Sequence, residues 1–203
     1  MFCHIFHAVK NHSAHIILSA DTDVFILGIH FWNKLEHLGC LGLWFEGSYK
    51  KKYISGCRLA AQSLNILPAL HSLSGCDSTS RLGSKKNSLN ATSLDFVQIA
   101  LRHLGNPYLT VEQLTELETV CTYLFSKKKL TADELRYKLI CQNIGFSLNL
   151  LKVICTSDAL HLHLLRASAQ TYIWINADQT LLQPIDYTLL GYEKKMVNCI
   201  LDN

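Results

Sequence analysis

Two aspartates separated by one residue, Asp21 and Asp23, and a third at Asp77 are the residues of this chain whose type and spacing most directly suggest chemistry. Carboxylates are hard oxygen donors suited to Mg²⁺ or Mn²⁺, and two such ions held roughly 4 Å apart can hydrolyse a phosphodiester, one activating water and the other steadying the leaving oxygen. The first pair lies in His15-Ile16-Ile17-Leu18-Ser19-Ala20-Asp21-Thr22-Asp23-Val24, where an apolar run breaks into acids before a second apolar stretch, Val24 to Ile29, begins. That pattern reads as a buried strand feeding a helix, with both acids at the strand's carboxyl end, where open α/β sheets place their ligand crevice. A purely structural account is also open. Asp21 can cap the helix and Asp23 can favour its dipole as a first-turn acid.

The third aspartate stands in Leu73-Ser74-Gly75-Cys76-Asp77-Ser78-Thr79-Ser80-Arg81-Leu82-Gly83-Ser84-Lys85-Lys86. Ser-Ala-Asp-Thr-Asp after a strand, followed later by Gly-Cys-Asp-Ser and then Gly with paired Lys, resembles the internal motifs of the flap endonuclease and XPG family of PIN-like nucleases. The motif-bearing region runs from about His15 to about Asn87, and weaker similarity, including Gln170 to Trp174, extends to transposon-associated, uncharacterised relatives of these enzymes.

The resemblance implies that Asp21, Asp23 and Asp77 are catalytic metal ligands for two divalent ions, Mg²⁺ or Mn²⁺, in a domain that cleaves nucleic acid, most simply DNA. It also implies an α/β fold: the C-terminal part of a PIN-like (Rossmann-like) parallel-sheet domain over residues 1–90, with a mainly helical extension over 91–203. Gly83, Ser84, Lys85 and Lys86 fit loosely the family's helix-two-turn-helix, whose glycines let backbone N–H groups approach a phosphate; the usual second and third glycines are missing. Family members carry further acids ahead of the first aspartate pair, whereas Met1 to Ala20 contains neither Asp nor Glu. The expectation is therefore an N-terminally truncated nuclease fragment with negligible activity alone. A non-catalytic module of transposon origin, binding nucleic acid or protein, is the alternative, and a remnant without stable function is a third reading.

Composition sets the frame. With 203 residues, 49% of them hydrophobic and 17% charged, the chain is globular in character and long enough for one real core with an appended lobe. A net charge of +3 does not itself indicate a nucleic-acid binder. The case for one rests on local clusters: Lys50, Lys51 and Lys52; Arg81 with Lys85 and Lys86; and Lys127, Lys128 and Lys129. Eight cysteines occur without a CxxC and mostly in apolar surroundings, as expected of reduced core thiols in an intracellular protein, nuclear or cytoplasmic. No signal-peptide pattern opens the chain, and its most apolar window, Ile16 to Trp32, contains two Asp and a His, which argues against a membrane span. There is no GxGxxG, Walker A, HExxH or GxSxG.

The elements that must position the acids follow from periodicity. Met1 to Val9 reads as a weak amphipathic helix, and Asp23 to Leu35 as the helix after the strand. Leu43-Trp44-Phe45 and Tyr53-Ile54 read as antiparallel strands around the basic loop Gly47 to Lys52. Short helices are expected at Cys57 to Leu64 and Pro68 to Leu73. Beyond Ser93 the pattern is helical. One helix presents Phe96, Ile99, Ala100, His103 and Leu104 and is stopped by Gly105 and Pro107; others open with capping boxes at Thr110/Gln113 and Thr131/Glu134; a long one covers Asp158 to Ala177. Pro184 to Asn203 shows no clear periodicity. His4 with His7, and His161 with His163, make poor metal pairs by spacing, and Tyr172 and Trp174 read as core rather than base-stacking residues.

Overall fold

In the computed structural model, which describes residues 2–11, 15–18, 21–46, 53–55, 65–82, 93–142 and 153–192, the Ile/Leu run His15–Leu18 is strand β1. It pairs in parallel with β2, Gly42–Glu46, in the register His15 opposite Gly42 through Leu18 opposite Phe45. A parallel pair needs a long crossover, and helix α2, Thr22–His37, supplies it. The expected antiparallel partner is β3, Tyr53–Ser55, set against Trp44–Glu46. The sheet has the order β1-β2-β3.

Helix α1, Phe2–Lys10, buries Phe2, Ile5 and Val9, one stripe at helical spacing. These meet Leu27, Ile29, Phe31, Trp32 and Leu35 of α2 and Leu43 and Phe45 of β2 in a first core. Phe2 lies 5.1 Å from Phe31 between ring centroids, and Phe25 meets Phe45 edge-on at 4.5 Å. Because α2 packs on the sheet side and also against later helices, its buried residues spread around much of its circumference.

A second core is built from α3 (Leu67–Ser74), α4 (Asp95–Leu101), α5 (Val111–Ser126), α6 (Ala132–Gln142) and α7 (Ser157–Ile175). Pro68 sits in the first turn of α3, where its missing N–H leaves no helical bond unmade. Both capping boxes form. Thr110 and Gln113 exchange bonds at the start of α5, and Thr131 and Glu134 do so before α6. The expected face of helix α4 and the turn after it forms in part: Ala100 and Leu104 are buried as expected, but Val97 and Leu101 are buried as well while Ile99 is 56% exposed. The helix ends at Leu101, and the stretch through Gly105 is a series of turns. Val97 and Leu101, four apart, form the stripe that packs toward α5, and Ile99 lies off it. Past α7, a short 3₁₀ helix spans Tyr187–Leu190.

Trp174 of α7 joins the first core, whereas Leu160 and Leu164 of the same helix belong to the second, so α7 ties the two together. The architecture is mixed α/β and mostly helical around a small sheet. Among the described residues no helix is long and apolar enough to cross a membrane. Of the six described cysteines, only Cys40 and Cys121 are buried. His4 and His7 are exposed, and His7 bonds Asn11. The expected helix Cys57 to Leu64 lies outside the described residues.

Candidate functional site

Asp21 and Asp23 flank the first turn of α2, just past the carboxyl end of β1, as the break in the apolar run implies. Asp21 is the N-cap. Its Oδ1 accepts the N–H of Asp23 at 2.8 Å, satisfying one of the helix's orphan donors. Its structural role is thus the one expected of any capping aspartate.

Asp23 is held differently. Nε2 of His71, from 48 residues further along the chain, lies 2.7 Å from its Oδ1. His71 belongs to the last turn of α3 and is buried, while the Asp23 side chain keeps 31% of its surface open to solvent. The imidazole stacks on the indole of Trp174, with centroids 5.4 Å apart and planes 14° from parallel. A carboxylate whose one oxygen is engaged by a ring clamped in the interior has a fixed orientation.

Asp77 is exposed on the loop that leaves α3. Gly75 makes that exit possible: its φ is +108°, and a Cβ there would stand 2.6 Å from Arg81 Cα. The Ser/Thr-rich run around Asp77 is a set of ties. Cys76 and Thr79 exchange backbone hydrogen bonds, and the Thr79 hydroxyl donates to the Ser72 carbonyl at 2.6 Å. The Ser78 hydroxyl donates to Gln170 Oε1 at 2.7 Å, and Ser80 Oγ lies 3.2 Å from His163 Nδ1. His163 Nε2–H donates to the Leu73 carbonyl at 3.0 Å, which leaves Nδ1 to accept from Ser80. Burial pushes the His163 pKa down, with Arg166 adding to the effect and the Leu73 bond opposing it. The loop is therefore bound to α7 at two points.

The structure thus brings Asp21 and Asp23 to one helix turn and places Asp77 on a separate, well-braced loop. Cys76, its neighbour, packs against the same core as Val24 and Phe25 of α2. Among the described residues no three His, Cys, Asp or Glu side chains form a group that could hold a metal ion. Lys50, Lys51, Lys52, Gly83, Ser84, Lys85 and Lys86 lie outside the described residues. Of the remaining basic cluster, Lys129 rests over Phe96, 4.0 Å from its centroid, and Lys127 over Tyr123 at 5.2 Å.

Sequence reasoning missed His71. A histidine within Leu70-His71-Ser72-Leu73 carries no local sign of its partner, since the bond to Asp23 exists only after α2 and α3 pack. His161 and His163 do point to different partners, Glu118 and Leu73, as their spacing implies. Trp174 is core, as expected, but it also backs the His71 ring. No family model matches the chain, and no curated protein or solved structure does so either.

Proposed function

We propose that the turn at the end of β1 is part of the acidic centre of a PIN-like, XPG-type phosphodiesterase that acts on nucleic acid with Mg²⁺ or Mn²⁺. The observation that carries this reading is the Asp23–His71–Trp174 arrangement. An aspartate needed only to start a helix requires nothing beyond the helix's own backbone, as Asp21 illustrates. Asp23 instead has one oxygen oriented by a buried, stacked imidazole, the outer support that working carboxylates receive.

Asp21, Asp23 and Asp77 are all hard oxygen donors, the chemistry these cations take. A bound divalent ion would polarise the phosphodiester and favour attack by water. The chain's own contribution is to orient: Asp21 closes the helix turn, His71 fixes Asp23, and the Gly75–Ser80 ties fix Asp77. A two-ion cage needs more carboxylates than these three, so negligible cleavage by this chain alone belongs to the proposal. The test is Mn²⁺ titration followed by NMR. Paramagnetic broadening should begin at the amides around Asp21 to Val24 and be lost in Asp23→Asn; uniform broadening across the spectrum would overturn the assignment.

One observation favours a second reading, a non-catalytic module that binds nucleic acid or protein: no three-member metal group exists among the described residues. On that reading, binding to DNA would be weak and strongly salt-dependent through Lys50, Lys51, Lys52, Lys85 and Lys86, and it would not need the aspartates.

A further inference from the structure

We propose that the groove between α7 and the 3₁₀ helix holds one unpaired nucleobase. The inference rests on the nucleic-acid reading for the source of the base, and it deepens that reading by naming what is held. Arg166, Ala169, Gln170 and Ile173, at positions i, i+3, i+4 and i+7, line one side of a cavity of about 460 Å³; Tyr187, Leu190 and Tyr192 line the other. That volume lies within the roughly 300–1,000 Å³ of small-molecule sites.

The lining has the character of a flat aromatic ligand with polar edges. Ala169, Ile173 and Leu190 make an apolar floor. Tyr187 and Tyr192 stand 6.4 Å apart between centroids, at 72°, and are 54% and 45% exposed, so ring surface is open for stacking. Gly191, at φ +75°, turns the chain so that Tyr192 meets the guanidinium of Arg166 at 4.6 Å from its centroid. The same guanidinium donates through Nε to the Leu190 carbonyl at 3.1 Å and through Nη2 to that of Gly191 at 3.3 Å. Two of its five N–H groups are thereby spent on the chain's own carbonyls, which fixes the guanidinium as a wall of the groove. A lipid tail would need no polar rim. Gln170 provides one: its carboxamide oxygen accepts from Ser78, and its NH₂ group is a donor of the kind that reads bases. Stacking on an aromatic ring combined with hydrogen bonds to a base edge is how unpaired bases of single strands are recognised. Because Ser78 follows Asp77, a base seated here keeps its strand beside the loop that carries the candidate acid.

The experiment uses the full chain in EDTA, so that no metal chemistry enters, and measures binding of fluorescein-labelled (dA)₆, AMP and a blunt duplex. The hexanucleotide should bind, with the duplex at least tenfold weaker because its bases are already stacked. Tyr192→Leu and, separately, Gln170→Ala should each weaken (dA)₆ by about tenfold for a lost stacking or edge contact, while melting temperatures stay near that of the parent. Tyr187→Leu serves in place of any variant that fails to fold. AMP matching (dA)₆ in affinity would assign the site to a free nucleotide, and (dA)₆ well above AMP to a strand; either supports the base site. A parent that binds neither, or a Tyr192→Leu protein with parental affinity, overturns it. Loss of base binding with site-specific Mn²⁺ broadening intact would reject the groove and leave the proposed function standing.

Discussion

Replacing Glu118 would test how the helical lobe is joined, because one buried carboxylate serves three helices. Glu118, on α5, is 5% exposed and accepts the Ala132 N–H at 2.6 Å, the Ser157 hydroxyl at 2.6 Å and His161 Nε2 at 2.9 Å. Ala132 and Ser157 are the first residues of α6 and α7, so the negative charge faces the positive ends of two helix dipoles. A hydrogen bond to a charged group contributes about 1.5–3 kcal/mol, and such terms do not add fully within one network. Glu118→Ala also strands the N–H of Ala132, a fully buried residue, and we expect a loss of about 3–5 kcal/mol. Against a total of about 5–15 kcal/mol for a typical domain this is severe. Glu118→Gln keeps an acceptor oxygen and should lose about 1–2 kcal/mol.

The pH dependence gives the same prediction a second edge. Burial alone would raise the Glu118 pKa, but the bonds from Ala132, Ser157 and His161 outweigh it and hold the group below its ordinary value of 4.5. A depressed carboxyl pKa contributes stability that is fully present above the unfolded value and is lost as pH falls through the folded one. Urea unfolding followed by circular dichroism should therefore show the parent and Glu118→Gln well separated at neutral pH and converging in acid. A Glu118→Ala protein within about 1 kcal/mol of the parent, or a separation that does not shrink on acidification, would refute the hub.

Two further outcomes are expected. Gly75→Ala should cost about 3 kcal/mol or more in the same unfolding assay, combining a backbone conformation closed to L residues with a Cβ 2.6 Å from Arg81 Cα; a cost under about 1 kcal/mol would mean the loop moves aside freely. For His163, burial depresses the pKa below 6.5, so the unfolded chain takes up its proton first and stability falls as pH drops through 6.5, levelling below the folded value. His30 is pushed down by burial too and acts in the same direction, so the measurement is the difference in slope between the parent and His163→Gln; equal slopes would rule out the buried neutral ring.

Much that is local was legible in the sequence. The apolar run His15–Leu18, the cap at Asp21, both capping boxes and the Pro-started helix Leu67–Ser74 each depend on residues within a few positions of one another, and all appear where their spacing placed them. Helix α4 is the instructive exception: Phe96 and Ile99 are as apolar as Val97 and Leu101, and only the neighbours supplied by α5 choose between the two faces. The candidate site divides in the same way. The chain alone brings Asp21 and Asp23 together, since two residues on one turn have nowhere else to be. Packing alone brings His71 to Asp23, Trp174 to His71, and Gln170 to Ser78 across 92 positions. Such bonds carry no local pattern because their geometry is set by burying the two cores that α7 joins, and the free energy of that burial belongs to the assembled helices and sheet rather than to any one segment.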